Sequence, residues 1–208
     1  MAPVQLRGAE AAPCQVEVLD ADNGWPVPLV TLRTTHQATM VSDNRGLIAL
    51  DLPELMGRES WFAVEGCGYE VPVDGLGYRG VRLTPQPGGK LTVRVQRKFP
   101  AKRIGRLTGG GLFAESQQLG LELDWEDQEV FGCDSVQTAV HNDRLYWAWG
   151  DTVLRTRPVG LFHMISATTP LRPLESFEPP LRLRYRYFND KKGRLRVVAK
   201  LPGPGPTW

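Results

Sequence analysis

The sequence predicts an all-β protein, and three observations carry that prediction. Glycine and proline are frequent, with 22 and 17 residues in a chain of 208, and this excess favours many turns over long helices. Short runs of alternating apolar and polar residues, the period of a half-buried strand, recur along the chain. Hydrophobic residues make up 41% of the sequence, which is enough for a core and excludes wholesale disorder.

The first part of the chain predicts a β-sandwich over residues 12–97. Val16 and Val18 alternate with polar neighbours near its start, and Leu91, Val93 and Val95 do so near its end. Seven short strands separated by turn residues are typical of a sandwich. The predicted strands are Gln15–Asp20, Pro28–Thr35, Ala38–Val41, Gly46–Asp51, Ser60–Glu65, Gly80–Thr84 and Lys90–Arg97.

The connections between these strands have turn chemistry. The stretches 22–24 (Asp-Asn-Gly) and 43–46 (Asp-Asn-Arg-Gly) supply residues that tolerate positive φ. Residues 53–57 predict one helical turn. Residues 98–103 are charged, contain a proline and lack periodicity, so they predict a linker between two domains.

The second domain, residues 104–208, has three consecutive glycines near its start, Gly109–Gly111. They suggest a phosphate loop, but no GK[ST] follows and no helix is indicated. A tight turn or a bulge explains them better.

A hairpin is predicted within residues 134–152. Ser135–Val140 and Arg144–Gly150 form its strands, with the turn at residues 141–143. Asp134 and Asp151 should therefore lie together at the end opposite the turn. Both faces of the hairpin carry apolar side chains, which predicts burial on both sides, as in a propeller blade between its neighbours.

A second hairpin is predicted over residues 181–200. Leucines and tyrosines alternate with arginines over residues 181–187, residues 189–193 turn, and Arg194–Lys200 returns. The arginines should form the exposed face. Only about four strands are apparent in the second domain, whereas a propeller needs at least four blades of four strands. We therefore expect the chain to be a fragment that includes the first blade or so of an incomplete propeller.

Charge and cysteine content narrow the class of protein. The formal net charge is +2, but residues 181–208 hold eight basic and one acidic side chain. A solvated strand face explains this end better than a nucleic-acid site, which needs a wider basic footprint on a recognisable fold. Cys14, Cys67 and Cys133 are isolated and predict buried, inert thiols.

Localisation stays open in the sequence. No apolar stretch is long enough for a membrane-spanning helix, and no signal peptide is visible at the N-terminus. Either the protein is cytosolic, or the chain as given has lost its export signal and belongs outside the cell or in the periplasm.

Asp134 and Asp151 are the leading candidates for catalysis. Glycosidic cleavage uses two carboxylates, a general acid and a nucleophile or base, and strand ends that converge on a propeller funnel bring such groups together. The alternatives are ligand binding without catalysis and ordinary turn hydrogen bonding. Further ligand-binding candidates are His163, Arg106 and Trp125.

Each of the other candidates also has a structural explanation. His163 lies in an apolar setting and is explained as well by a core or loop position as by substrate orientation. Trp147 and Trp149 share a strand face, so a core stripe explains them better than a sugar-stacking platform, whereas Trp125 lies in an acidic stretch and should be partly exposed. The absence of HExxH, CxxC, acidic clusters and GxSxG gives no support for a metal, a cofactor or a serine nucleophile.

The first domain resembles the carboxypeptidase-regulatory-like, transthyretin-like sandwich family. The residues that carry the resemblance are VLDADNGWPVPLVTLRT (Val18–Thr34) and VSDNRGLIAL (Val41–Leu50). The resemblance covers about residues 14–97. It implies a spacer or binding sandwich appended to other domains, without catalytic residues of its own.

The whole chain is similar to a family of large uncharacterised bacterial proteins in which this sandwich precedes a β-propeller. That resemblance implies a propeller that continues past residue 208. The second domain also resembles, more loosely, five-bladed propellers of glycoside hydrolases and related sugar-binding proteins. An acidic residue faces the funnel there, and the resemblance implies that part for Asp134 or Asp151. The segments that carry the similarity to the bacterial family are Gly68–Leu83, Arg106–Ser116, Cys133–Thr152, Pro158–Leu171 and Leu201–Trp208.

We therefore expect a non-catalytic binding or scaffolding fragment of a larger, carbohydrate-related propeller protein. Its partners would be carbohydrate and the remaining blades, with no nucleic acid. One alternative is a glycoside hydrolase-like enzyme that uses Asp134 and Asp151. The other is a structural surface protein without a small ligand.

Overall fold

The computed structural model of the chain describes residues 12–108, 114–121, 129–155, 157–162, 164–173, 176–197 and 202. Strands account for 45% of the structure and there is almost no helix, so the predicted all-β class is confirmed. The chain separates into two compact units. The first is Met1–Arg103 with Glu115–Leu121, and the second is Ile104–Ala114 with Glu122–Trp208.

The first unit contains the seven predicted strands, with small shifts at their ends, and one strand that was not predicted. The additional strand has only two residues, which is too short to show an alternation. The predicted helical turn is present as a single 3-10 turn at Pro53–Leu55. The strands are β1 (Cys14–Asp20), β2 (Val30–Thr34), β3 (Thr39–Val41), β4 (Leu47–Leu50), β5 (Ser60–Gly66), β6 (Tyr69–Glu70), β7 (Gly80–Leu83) and β8 (Lys90–Arg97).

These eight strands form one nearly closed sheet, which is compatible with a β-sandwich. The strand order is β3-β2-β5-β6-β8-β1-β4, and β7 pairs with β5. β6 connects the two halves, because Tyr69 is paired with Gly66 on one side and with Arg97 on the other. β1 and β8 run parallel, with Val18 opposite Val93.

The core of the first unit follows from the alternation in the sequence. The inward side chains of each strand are removed from water, and this burial of apolar surface is the main favourable contribution to the free energy of folding. Phe62 and Leu32 are fully buried. The other fully buried apolar side chains of this core are Cys14, Val16, Val18, Val27, Val30, Ile48, Leu50, Val71, Val93 and Val95.

Two segments beyond the last strand are hydrogen-bonded to the first unit. In the segment predicted as a linker, the Lys98 N–H donates to the Gly68 carbonyl, and the Arg103 guanidinium donates to the Pro28 carbonyl at 2.9 Å. A short helix, α1 (Glu115–Gln118), lies in the stretch predicted for the second domain but groups with the first unit. Its binding site on the first unit includes the buried carboxylate of Asp43, which accepts a hydrogen bond from the Ser116 N–H at 2.8 Å.

The described residues of the second unit form a four-stranded sheet and a three-stranded sheet. Both strands of the predicted hairpin are present, and Asn142 and Asp143 form its turn with φ of 45° and 55°. Positive φ at both central residues is the signature of a type I′ hairpin turn. The strands are β9 (Val130–Gly132), β10 (Ser135–His141), β11 (Arg144–Gly150), β12 (Thr152–Leu154), β13 (Arg157–Phe162), β14 (Ile165–Pro170) and β15 (Arg186–Tyr187). The four-stranded sheet has the order β10-β11-β14-β15, and the three-stranded sheet has the order β13-β12-β9.

The prediction that this hairpin is buried on both faces is wrong. β10 is exposed at all seven residues, because it is the edge strand of its sheet and, among the described residues, only β11 pairs with it. β11 is buried mainly through Trp147 and Trp149. Burial therefore depends on which layers cover the sheet, and apolar side chains on both faces do not ensure two covering layers.

The second predicted hairpin has less regular strand than expected within the described residues, which end at Val197 in this hairpin. Its regular part is β15, of two residues, and the return segment is held by a bridge between Asn189 and Leu195. The predicted alternation is nevertheless present, since Leu181 and Leu183 are buried while Arg184 is exposed.

The cysteine prediction needs one correction. Cys14 is buried and Cys133 is half-buried, but Cys67 is exposed. Cys67 occupies the short connection between β5 and β6, where no layer covers it. Among the described residues, no helix has the length and apolar character needed to cross a membrane.

Candidate functional site

The four-stranded sheet of the second unit has two chemically different faces. Successive side chains of a strand point to opposite faces, so Trp147 and Trp149 of β11 share one face, and Arg144 and Tyr146 share the other. The tryptophan face is the core of the unit. The Trp147 and Trp149 rings are stacked with centroids 6.3 Å apart, and Tyr185 packs edge-on against Trp149 at 5.0 Å.

The stripe formed by Trp147 and Trp149 is therefore part of the core, as one of the two interpretations of the sequence predicted. Trp147 is 6% exposed and Trp149 is fully buried, so neither ring offers a stacking surface. The Trp147 indole N–H donates to the Thr169 hydroxyl at 3.0 Å. Burial is also the main reason why the pKa of Tyr185 is well above its ordinary value.

The opposite face forms a groove of about 780 Å³. Its floor is a row of residues that the strand register places side by side. Tyr146 is opposite Thr168 in the β11–β14 pair, and Thr168 is opposite Arg186 in the β14–β15 pair. The groove is lined by Arg144, Tyr146, Thr168, Tyr185, Arg186, Tyr187, Phe188, Asn189 and Arg196.

Two aromatic rings give the groove apolar surface. Tyr146 and Phe188 are half-buried, and their ring centroids are 6.2 Å apart with an interplanar angle of 55°. The centroid of the His141 ring lies 6.1 Å from that of the Tyr146 ring. Half-buried rings fixed by such contacts can pack on a ligand with little loss of side-chain entropy.

Three arginines give the groove positive charge. Arg144 comes from β11, Arg186 from β15 and Arg196 from the return segment, whose N–H donates to the Phe188 carbonyl at 2.8 Å. Arg144 is oriented by the buried Thr168, whose hydroxyl accepts a hydrogen bond from Nη2 at 2.6 Å. A guanidinium presents several donors in a planar fork, so this contact leaves Arg144 with donors for a ligand.

Asp134 and Asp151 lie together, as the hairpin geometry predicted. They flank the last pair of the β10–β11 ladder, Ser135 opposite Gly150. Burial, and after it the negative charge of Asp134, raises the pKa of the Asp151 carboxyl. Among the described residues, Asp151 Oδ1 is buried without a hydrogen-bond partner.

The positions of the other predicted site residues differ. Arg106 is half-buried in the second unit and is not among the described residues that line the groove. His163 and Trp125 lie outside the described residues. No group of three or more His, Cys, Asp or Glu side chains suited to a metal ion occurs within the described ranges.

Sequence reasoning missed the groove. Arg144 and Tyr146 were predicted only as parts of a strand and Arg186 as part of an exposed stripe, and no role was predicted for Phe188. An aromatic residue two positions after an arginine, Tyr146 after Arg144 and Phe188 after Arg186, is the signal in the sequence that points to it. No local pattern shows that the two strands contribute to one sheet face.

The first unit has a smaller cleft of about 400 Å³. Trp61 and Tyr78 line it, with their rings edge to face at 6.4 Å. Its two arginines are ion-paired, Arg33 with Glu65 and Arg79 with Glu70. The three arginines of the groove have no carboxylate partner among the described residues, which makes the groove the better candidate site.

Comparison with known proteins gives no relative for this chain: no family model, no curated protein and no solved structure matches it.

Proposed function

We propose that this chain is a non-catalytic binding module for carbohydrate and that the groove on the four-stranded sheet is its binding site. The observation that carries the proposal is the combination of half-buried rings, Tyr146 and Phe188, with hydrogen-bonding side chains in one groove. Sugars have apolar C–H faces that pack on aromatic rings and hydroxyl groups that need polar partners. The volume of the groove, about 780 Å³, is within the usual range for small-ligand sites.

The proposal places the module in a larger protein, with the first unit as a transthyretin-like sandwich and the second as the start of a propeller. A four-stranded antiparallel sheet is the unit from which propellers are built, and β10-β11-β14-β15 has that strand number.

The test is binding of the full chain to a panel of immobilised glycans, followed by titration of the best binder. Tyr146→Ala should weaken binding at least about tenfold, because it removes the central ring of the groove. Phe188→Ala should act in the same direction. The matched control is Tyr78→Ala, which removes a 61% exposed ring from the first unit and should leave binding unchanged.

Two results would contradict the proposal: no glycan binds the wild-type chain, or Tyr146→Ala binds as well as wild type. Thermal unfolding of each variant identifies any general loss of folding. Loss of binding in a variant with a wild-type melting temperature supports a local role for the ring.

A glycoside hydrolase-like enzyme is the second candidate, and Asp134 and Asp151 are the observation that favours it. A carboxyl whose pKa is raised can act as a general acid beside an ionised partner, and Asp151 has that property. If the chain or its full-length form releases reducing sugars, Asp134→Asn and Asp151→Asn should each abolish the release. Unchanged hydrolysis in both variants would remove this candidate.

A further inference from the structure

We infer that the ligand of the groove is an acidic polysaccharide, one that carries carboxylate or sulfate groups along a sugar chain. This inference rests on the proposed function, because it names the class of carbohydrate that the same groove would bind.

The charges of the groove residues point to an anionic ligand. Among the described residues, no carboxylate lies within ion-pair distance of Arg144, Arg186 or Arg196. Five other described arginines do have such partners. The pairs are Arg33–Glu65, Arg79–Glu70, Arg82–Glu59, Arg97–Asp20 and Arg194–Asp190. The groove is thus a place where three cations come together without counter-charge from the described protein.

A guanidinium recognises anionic groups that offer two oxygens. Its planar fork matches the two oxygens of a carboxylate or a sulfate, and such charge-assisted hydrogen bonds are stronger than neutral ones. Neutral sugar hydroxyls need polar partners but do not need three cations. An anionic group beside Arg186 and Arg196, with a sugar ring on Tyr146, would satisfy both the charged and the apolar parts of the groove.

The angle between the aromatic rings and the net charge of the chain favour a polysaccharide over nucleic acid, the other common polyanion. Single-stranded nucleic acids bind by stacking successive bases on aromatic rings along a basic channel. The Tyr146 and Phe188 rings are inclined at 55°, so two neighbouring bases could not stay parallel and stack on both. The formal net charge of the chain is also only +2, whereas nucleic-acid binding domains are usually strongly basic.

The experiment titrates the full chain with polygalacturonate, dextran sulfate, neutral dextran and poly(dT) at low salt. We expect binding to polygalacturonate or dextran sulfate, at least about tenfold weaker binding to neutral dextran, and weakening of the acidic complexes by added salt. The double variant Arg186→Gln/Arg196→Gln should lose at least about tenfold in affinity for the acidic polymer. Both side chains are exposed, so folding should be preserved.

The matched control is Arg172→Gln, which removes the same charge from an exposed arginine of the same unit outside the groove. It should change affinity by less than about twofold. Equal binding of dextran and acidic polymers, with no effect of the double variant, would overturn the inference and leave the proposed function standing. Failure of all three polysaccharides would count against both, and tighter binding of poly(dT) would replace polysaccharide with nucleic acid.

Discussion

Asp43 and Ser116 are 73 residues apart in the sequence and are joined by two hydrogen bonds. Asp43 Oδ2 accepts from the Ser116 N–H at 2.8 Å and also from the Ser116 hydroxyl. The other oxygen, Oδ1, accepts from the N–H groups of Arg45 and Leu47 at 2.8 and 3.1 Å. One buried carboxylate therefore shapes its own turn and holds helix α1 on the first unit.

Replacement of Asp43 should destabilise the first unit. Asp43→Ala would leave buried N–H groups without partners, at a cost of about 3 kcal/mol. The matched control is Asp74→Ala, because Asp74 Oδ1 makes the same two bonds, to the N–H groups of Leu76 and Tyr78, at an exposed position. Its cost should be less than about 1 kcal/mol. Urea denaturation measures both, and equal losses would show that the contact with Ser116 contributes nothing.

Glu115 should make stability depend on pH. Burial, and after it the charge of Asp43, raises the pKa of Glu115, against the lowering effect of the Ala49 N–H bond. A raised folded pKa means that the contribution to stability is present when the carboxyl is protonated and is lost as pH rises through that pKa. Glu115→Gln keeps an acceptor for Ala49 without the charge.

The variant should therefore gain on wild type in melting temperature between pH 4 and pH 8. An exposed carboxyl, replaced in Glu54→Gln, is the control and should show no such gain. A difference between Glu115→Gln and wild type that does not change with pH would contradict this expectation.

Gly46 should tolerate alanine far less well than Gly24. Both have positive φ, 68° and 74°, which costs an alanine about 1–2 kcal/mol. A Cβ at Gly46 would also lie 2.6 Å from the Val18 carbonyl oxygen, whereas a Cβ at Gly24 would meet nothing within 4 Å. We expect Gly46→Ala to lose on the order of 3 kcal/mol or more and Gly24→Ala about 1 kcal/mol, measured by denaturant unfolding. Similar losses would mean that the backbone at Gly46 relaxes freely.

β10 should promote self-association of the chain. Its sequence SVQTAVH lacks proline, lysine and acidic residues, and its ladder with β11 has no bulge, so β10 itself lacks these usual protections of an edge strand. Size-exclusion chromatography with light scattering should show a concentration-dependent dimer. Val140→Lys, at a 62% exposed position, should shift the chain to monomer, whereas Leu76→Lys, at an 82% exposed loop position, should not. A monomer at all concentrations would contradict this expectation.

The three thiols should react at different rates with a soluble disulfide reagent. Cys67 is exposed and Cys14 is fully buried. Burial, and after it the charge of Asp134, raises the pKa of Cys133, which lowers its thiolate fraction. One thiol per chain should therefore react quickly, and Cys67→Ser should remove that fast phase. A fast phase that survives in Cys67→Ser would show that another thiol is open to solvent.

The sequence by itself determined the strands and several turns, because these depend on neighbours only a few residues apart. The pattern Asp-x-x-Gly occurs at Asp43, Asp74 and Asp190, and in each case the carboxylate accepts from the N–H groups two and four residues later. The glycine that follows has positive φ at all three. Alternation also identified the inward leucines Leu181 and Leu183 correctly.

The tertiary structure decided what these local elements do. Of the three aspartates, Asp43 is the one held by a distant serine, because the fold buries its second oxygen. Trp147 and Tyr146 are adjacent and both aromatic, yet one lies in the core and the other in a groove, since packing covers only one face of their sheet. Arg144, Arg186 and Arg196 meet there because strand pairing connects distant segments, and long-range pairing leaves no periodic signal in a single sequence.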